Sequence, residues 1–150
     1  MSERSIIIYD FQDDFQKEEI TKNLSDFENI IKKYEKTIIE NYNIDKEISL
    51  FFVDKDKIRE LNNKYRNIDK DTDVLSFNYS YASNMLGEIV ICFEKIIERS
   101  IIEEESIENT LIYMLFHSFL HLVGFDHNKE VEYDIFEEKT EELLRRYSKL

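Results

Sequence analysis

The chain has 150 residues, the usual size of one domain, and 33 acidic against 20 basic side chains leave a formal net charge of −13. That balance argues against a polyanion held by overall charge, while the single cysteine, Cys92, excludes an intrachain disulfide and points to a reducing, cytoplasmic setting. No run approaches the roughly 20 apolar residues of a membrane span and the first ten residues lack a secretory h-region, so a soluble intracellular protein with no membrane partner is expected.

In chain order, Ser5 to Tyr9 is a β-branched run and predicts a strand. Leu24, Phe27, Ile30, Ile31, Tyr34 and Ile38 recur at steps of three and four, which predicts one long amphipathic helix over roughly Lys17 to Asn41. Ile48 to Val53 is apolar on both faces, as in a strand inside a sheet. Asp54 can cap a following helix in which Ile58, Leu61 and Tyr65 share a face. Val74 to Tyr79 and Leu86 to Phe93 predict two strands that pair as an antiparallel hairpin through Ser80 to Asn84.

Ile107 to Val123 has helical spacing, with Leu111, Leu115, Ser118 and Leu122 on one face and Gly124 where a helix end needs a left-handed residue. Asn128 opens a last helix that turns Val131, Ile135, Phe136, Leu143 and Tyr147 inward. The expected class is α+β, close to a three-layer α/β arrangement: one domain over 1–150 with a small mixed four-stranded sheet packed by helices. No repeat, linker or low-complexity tract divides the chain, and the absence of proline carries no functional message.

Charge is unevenly placed. Asp54 to Lys70 holds six bases against four acids, whereas Glu130 to Glu142 holds seven acids and only Lys139. The acidic stretch is a solvated helix face. The basic stretch matters more, because a ligand meets local potential rather than net charge.

All three histidines fall within eleven residues, His117-Ser-Phe-Leu-His121-Leu-Val-Gly-Phe-Asp-His127. Positions i and i+4 of a helix lie on one face about 5–6 Å apart, so His117 and His121 can converge on one ion. Gly124 allows a sharp turn that brings His127 round as a third ligand. Three neutral ligands leave Zn²⁺ its full charge and an open position, where water acquires a pKa of about 7. A lone helical histidine is more often a hydrogen-bonded core residue, but packing alone does not explain a cluster with ligand spacing. The same spacing occurs in metzincin proteases, H-E-x-x-H-x-x-G-x-x-H, yet Ser118 stands at the glutamate and cannot act as the carboxylate base.

This segment resembles the signature H-G-x-L-H-L-x-G-[YF]-D-H of the YbeY family of bacterial metallo-endoribonucleases. Leu61-Asn-Asn-Lys-Tyr-Arg66 followed by Thr72-Asp-Val-Leu-Ser-Phe77 is similar to that family's L-N-x-x-Y-R…T-[DN]-V-L-S-F, and Leu86-Gly-Glu-Ile89 to its L-G-D-[IL]. The three blocks span residues 61 to 127 in the family's order. Four positions depart from the pattern: Ser118 replaces a glycine, Asp71 and Asn78 replace prolines, and Glu88 replaces an aspartate.

The resemblance implies a hydrolase of single-stranded RNA, acting in 3′-end maturation of small-subunit ribosomal RNA and in ribosome quality control. It implies one zinc ion per chain on His117, His121 and His127, with Arg66 and His117 as catalytic residues and the small ribosomal subunit and its proteins as partners. An arginine suits the role, since its planar fork matches phosphate oxygens and keeps its charge. Lys64, Arg66 and Lys70 form a modest RNA-facing patch, or else a solvated helix end. Thr72, Asp73 and Ser76 line the cleft, or else form a turn entering a strand. Asp126 is either a partner for a ligand imidazole or a turn residue. Tyr65 and Phe77 offer ring faces to unstacked bases, with a core role the stronger expectation for Phe77. Cys92, in an apolar run, reads as a buried small hydrophobe. Two rival readings remain open, a ribosome assembly factor with a structural zinc and, further off, a metalloprotease.

Overall fold

The structure is a computed structural model that describes residues 5–79, 83–124 and 130–150. The elements run β1 (Ile7–Phe11), α1 (Asp14–Asn23), α2 (Phe27–Tyr42), β2 (Glu47–Val53), α3 (Lys55–Arg66), β3 (Val74–Asn78), β4 (Met85–Cys92), α4 (Phe93–Ile102), α5 (Ile107–Leu122) and α6 (Glu130–Ser148). The sheet has the order β1-β2-β4-β3. β1, β2 and β4 are parallel, and β3 runs antiparallel along β4, as the hairpin pattern predicts. The class is α+β, with a mixed four-stranded sheet.

Alternation along the central strands separates two cores. Ile48, Leu50 and Phe52 of β2 and Ile89 and Ile91 of β4 face a large cluster shared with α1, α2, α4, α5 and α6. Val53, Val90, Cys92 and Leu75 face the other way onto Ile58 of α3. β2 lies between two parallel neighbours, with Ile48, Leu50 and Phe52 buried on the main-core face and Ser49 and Phe51 half-buried on the other, which only Val53 closes fully.

The helix expected over Lys17 to Asn41 is two helices. α1 ends where the Leu24 N–H bonds the Ile20 carbonyl at 2.8 Å, and α2 begins at Phe27 after Ser25 and Asp26. Leu24 and Phe27 are both buried in the same cluster, so the apolar spacing survives the break. α4 is an element that the spacing does not predict. Cys92 precedes it without a side-chain cap, and the apolar run of β4 continues straight into Phe93 and Ile96, which hides the change of period. Among the described side chains of α6 the buried ones are Phe136, Thr140, Leu143 and Tyr147, and Val131, also expected inward, lies outside them. Ile135, expected inward, is 43 % exposed, because it sits one position off that stripe. Asn128 lies outside the described residues, as does the start of the hairpin connection, Ser80 to Ala82.

Two local devices set the positions of α3 and α5 on the sheet. The Asp54 carboxylate caps α3 by accepting the Lys57 N–H at 2.8 Å, and α3 ends at Asn67 in the left-handed region, φ 58°. Gly87, inside β4, allows a close approach: a Cβ there would stand 2.5 Å from Leu122 Cδ2 and 2.6 Å from the Phe77 carbonyl oxygen. The last turn of α5 therefore lies directly on the sheet at a residue that leaves room for it. No helix among the described residues is long and apolar enough to cross a membrane.

Candidate functional site

α5 starts at Ser106, whose Oγ accepts the Asn109 N–H at 3.0 Å. It is apolar almost all round, and Leu111, Leu115, Ser118 and Leu122 are buried as their shared face predicts. The half-exposed strip carries the imidazoles. His117 and His121, one turn apart, have ring centroids 5.5 Å apart with planes at 73°. Phe136 of α6 packs against both, at 4.2 Å from His117 and 4.9 Å from His121. A tetrahedral ion with imidazole nitrogens at about 2.0–2.1 Å holds two ring centroids about 5 Å apart, so the pair fits a shared zinc ion. His127 and Asp126 lie outside the described residues, among which no three His, Cys, Asp or Glu side chains converge on one point. Gly124, at the end of the helix, has φ 98°, the backbone state that its position calls for.

Two further side chains frame His117. Tyr113, one turn earlier, stacks its ring on the imidazole at 5.6 Å and 28°. Its hydroxyl donates to Glu137 at 2.8 Å to Oε2 and 3.1 Å to Oε1. Glu137 Oε1 in turn lies 3.8 Å from His117 Nδ1. Burial, then the Glu137 carboxylate, pushes the Tyr113 hydroxyl far above the ordinary tyrosine range, which keeps it a donor. Neither residue stands out in the sequence. The one signal there is the four-residue step from Tyr113 to His117 to His121.

Arg66 is the last residue of α3 and is exposed. Its Nη2 donates to the Ser76 carbonyl of β3 at 2.8 Å, and its guanidinium lies 5.8 Å from the Phe77 ring centroid. The rest of its fork carries no other hydrogen bond among the described residues. Tyr65 beside it is 58 % exposed and meets Phe77 edge to face at 5.3 Å, with the Lys64 ammonium 5.1 Å over the Tyr65 ring. Phe77 itself is half-buried against the α3 core.

Among the described residues, Arg66 makes no direct contact with His117 or His121. β3 connects them: two residues beyond Ser76, Asn78 Nδ2 donates to the Leu122 carbonyl of α5 at 2.8 Å. Asn78 stands at one of the positions where the resemblance leads one to expect proline. Here a hydrogen bond supplies the fixation that a ring would have given. Two of the other departures are also absorbed: Glu88 accepts the Tyr79 hydroxyl at 3.2 Å and Asp71 pairs with Lys95 at 3.2 Å. Ser118 is 1 % exposed in the core, and its hydroxyl has no hydrogen-bond partner among the described residues.

The remaining candidates divide. Ser76 lies on β3 and meets Arg66 only through its carbonyl. The Thr72 hydroxyl turns to Asp73 Oδ1 at 3.4 Å, and Asp73 Oδ2 holds Arg99 of α4 at 2.8 Å, on the α4 side. Lys70 is exposed, and its carbonyl accepts Asn62 Nδ2 at 3.0 Å, which pins the loop after α3. Cys92 is fully buried and burial pushes its thiol up to about 11, so it is no nucleophile.

A family model described as Endoribonuclease YbeY matches residues 10–148. The chain is 39 % identical over 137 residues to the endoribonuclease YbeY of Thermoanaerobacter sp. (strain X514), covering 79 % of this chain and 86 % of that protein. It is 38 % identical over 140 residues to that of Finegoldia magna, covering 89 % and 88 %. The solution structure of TM1509 from Thermotoga maritima matches 95 % of this chain and 92 % of its own with a TM-score of 0.61 and 25 % identity. With these likenesses across most of its length, the chain belongs to the endoribonuclease YbeY family.

Proposed function

We propose that this chain is a zinc-dependent endoribonuclease that hydrolyses phosphodiesters of single-stranded RNA, acting on the 3′ end of small-subunit ribosomal RNA and in ribosome quality control in the cytoplasm. The observation that carries this reading is the pair His117 and His121, 5.5 Å apart on one helix face, in a chain of the endoribonuclease family. His117 and His121 would hold the ion, with His127 as the third ligand that the spacing provides. When bound, zinc supplies Lewis-acid polarisation of a phosphoryl oxygen and a lowered pKa for water.

The protein's own groups do the rest. Arg66 retains donors of its fork for phosphate oxygens, and its fixed charge opposes the negative charge that grows there during cleavage. The Ser76 carbonyl and the Phe77 ring hold that guanidinium in place. Tyr65 offers an exposed ring on which an unstacked base can lie, and Lys64 and Lys70 add local positive charge for the backbone. Ser118 is buried where a protease of this spacing carries its glutamate base, so proteolysis is disfavoured.

The test is cleavage of a single-stranded RNA by the zinc-loaded protein beside its Arg66→Ala variant. Arg66→Ala keeps zinc and the fold and loses about a hundredfold or more in rate, the scale for removing a charge-stabilising donor. Unchanged cleavage removes Arg66 from the mechanism. The net charge of −13 supports a second reading, an assembly factor with structural zinc that reaches RNA through small-subunit proteins. That reading requires zinc binding without cleavage even when ribosomal particles are supplied.

A further inference from the structure

We propose that Glu137, held by Tyr113, is the carboxylate that orients His117 for its metal. This role rests on the zinc reading and extends it to two more residues of the chain. Three contacts meet at Glu137: the Tyr113 hydroxyl donates to both of its oxygens at 2.8 and 3.1 Å, and Oε1 lies 3.8 Å from His117 Nδ1. Nδ1 is buried, and the Tyr113 ring stacked at 5.6 Å and the Phe136 ring at 4.2 Å fence the imidazole on two sides. At 3.8 Å the carboxylate stands just beyond hydrogen-bond distance, and its negative charge on the Nδ1 side favours the tautomer that carries its proton there and presents Nε2 as the ligand.

Glu137 is itself restrained. Tyr113 takes both carboxylate oxygens on one hydroxyl, and the Tyr113 ring has the Arg99 guanidinium at 5.9 Å, which is tied to Asp73 at 2.8 Å. The T-D-V-L-S-F segment and the histidine helix thus meet through Arg99 and Tyr113 as well as through the Asn78 bond. Glu137 follows Phe136, the ring that packs on both histidines, so one turn of α6 supplies both the apolar wall and the charge. Glu137 is a positioning residue. It acts through His117 and touches no substrate.

The test is zinc affinity, measured by competition with a chromogenic chelator, and the visible spectrum of the cobalt(II) form. Glu137→Gln keeps the shape and an oxygen for Tyr113 but removes the charge. It should bind zinc 10–100-fold more weakly, roughly the usual scale for such partners, with the melting temperature of the metal-free protein unchanged. Its cobalt bands should keep the parent's intensity, because the ligand set is the same. Tyr113→Phe, which keeps the stacked ring, should lose several-fold. Should Glu137→Gln not fold, Tyr113→Phe decides alone. Zinc affinity equal to the parent's overturns the positioning role, and changed cobalt band intensity overturns it in favour of direct ligation by Glu137. A parent protein that binds no zinc at all fells the zinc reading as well, which separates the two failures.

Discussion

Asn78 Nδ2 donates to the Leu122 carbonyl at 2.8 Å, and through this bond the edge strand β3 closes the last turn of the histidine helix α5. Helix ends leave carbonyls without an intrahelical partner, so the bond satisfies one of them and fixes the helix against the sheet at once. Asn78→Ala is expected to cost about 1 kcal/mol of stability, the net worth of such a bond, and to weaken zinc binding. Chemical denaturation of the metal-free protein checks the first part. Equal midpoints for parent and variant would show that the contact does not restrain α5.

Gly87 is expected to be the least replaceable residue of β4. A Cβ would stand 2.5 Å from Leu122 and 2.6 Å from the Phe77 carbonyl, and the second neighbour is backbone that cannot rotate away. Gly87→Ala should lose about 1–3 kcal/mol, the cost of overpacking a well-filled core. The displaced element is α5, so zinc affinity should fall with stability. A variant with the parent's urea midpoint and zinc affinity would refute the close approach.

Zinc itself is expected to stabilise the fold. An ion that binds only the native state adds about 4 kcal/mol at a thousandfold excess over Kd. His121→Ala should lose most of that gain while its metal-free melting temperature stays near the parent's, since the imidazole lies in the half-exposed strip rather than the core. A zinc-induced rise in Tm as large as the parent's would remove His121 from the ligand set.

Tyr65 is expected to separate binding from chemistry. Its ring is 58 % exposed, so Tyr65→Ala should fold normally. Loss of a stacked base costs about 1–3 kcal/mol, which is roughly a 5- to 150-fold rise in KM for single-stranded RNA with little change in kcat. Tyr65→Phe should restore the parent's KM, because stacking needs the ring and not the hydroxyl. A KM for Tyr65→Ala equal to the parent's would leave the ring with the packing role it has against Phe77.

Much of the candidate site is legible in residue order because its signals are local. The His117 to His121 step lies within one helical turn, Gly124 announces its own backbone state, and Asp54 caps the helix that ends at Arg66. The central strand β2 is legible for a related reason, since its apolar run Ile48, Leu50, Phe51, Phe52 and Val53 marks a strand set inside the sheet. Element boundaries blur where two neighbours share one apolar pattern: α1 runs into α2 through Leu24 and Phe27, and β4 into α4 through Phe93.

The chain's own order therefore picked out the candidate residues and the helix that aligns His117 with His121. How β3 links Arg66 to the histidine helix, why Gly87 must be bare, and which carboxylate reaches His117 were decided only by the fold. Those contacts join residues 10, 44, 35 and 20 positions apart. Periodicity reports the neighbours along one helix or strand. A contact between elements depends on how their faces are set against each other, and that is decided by the packing of the whole core.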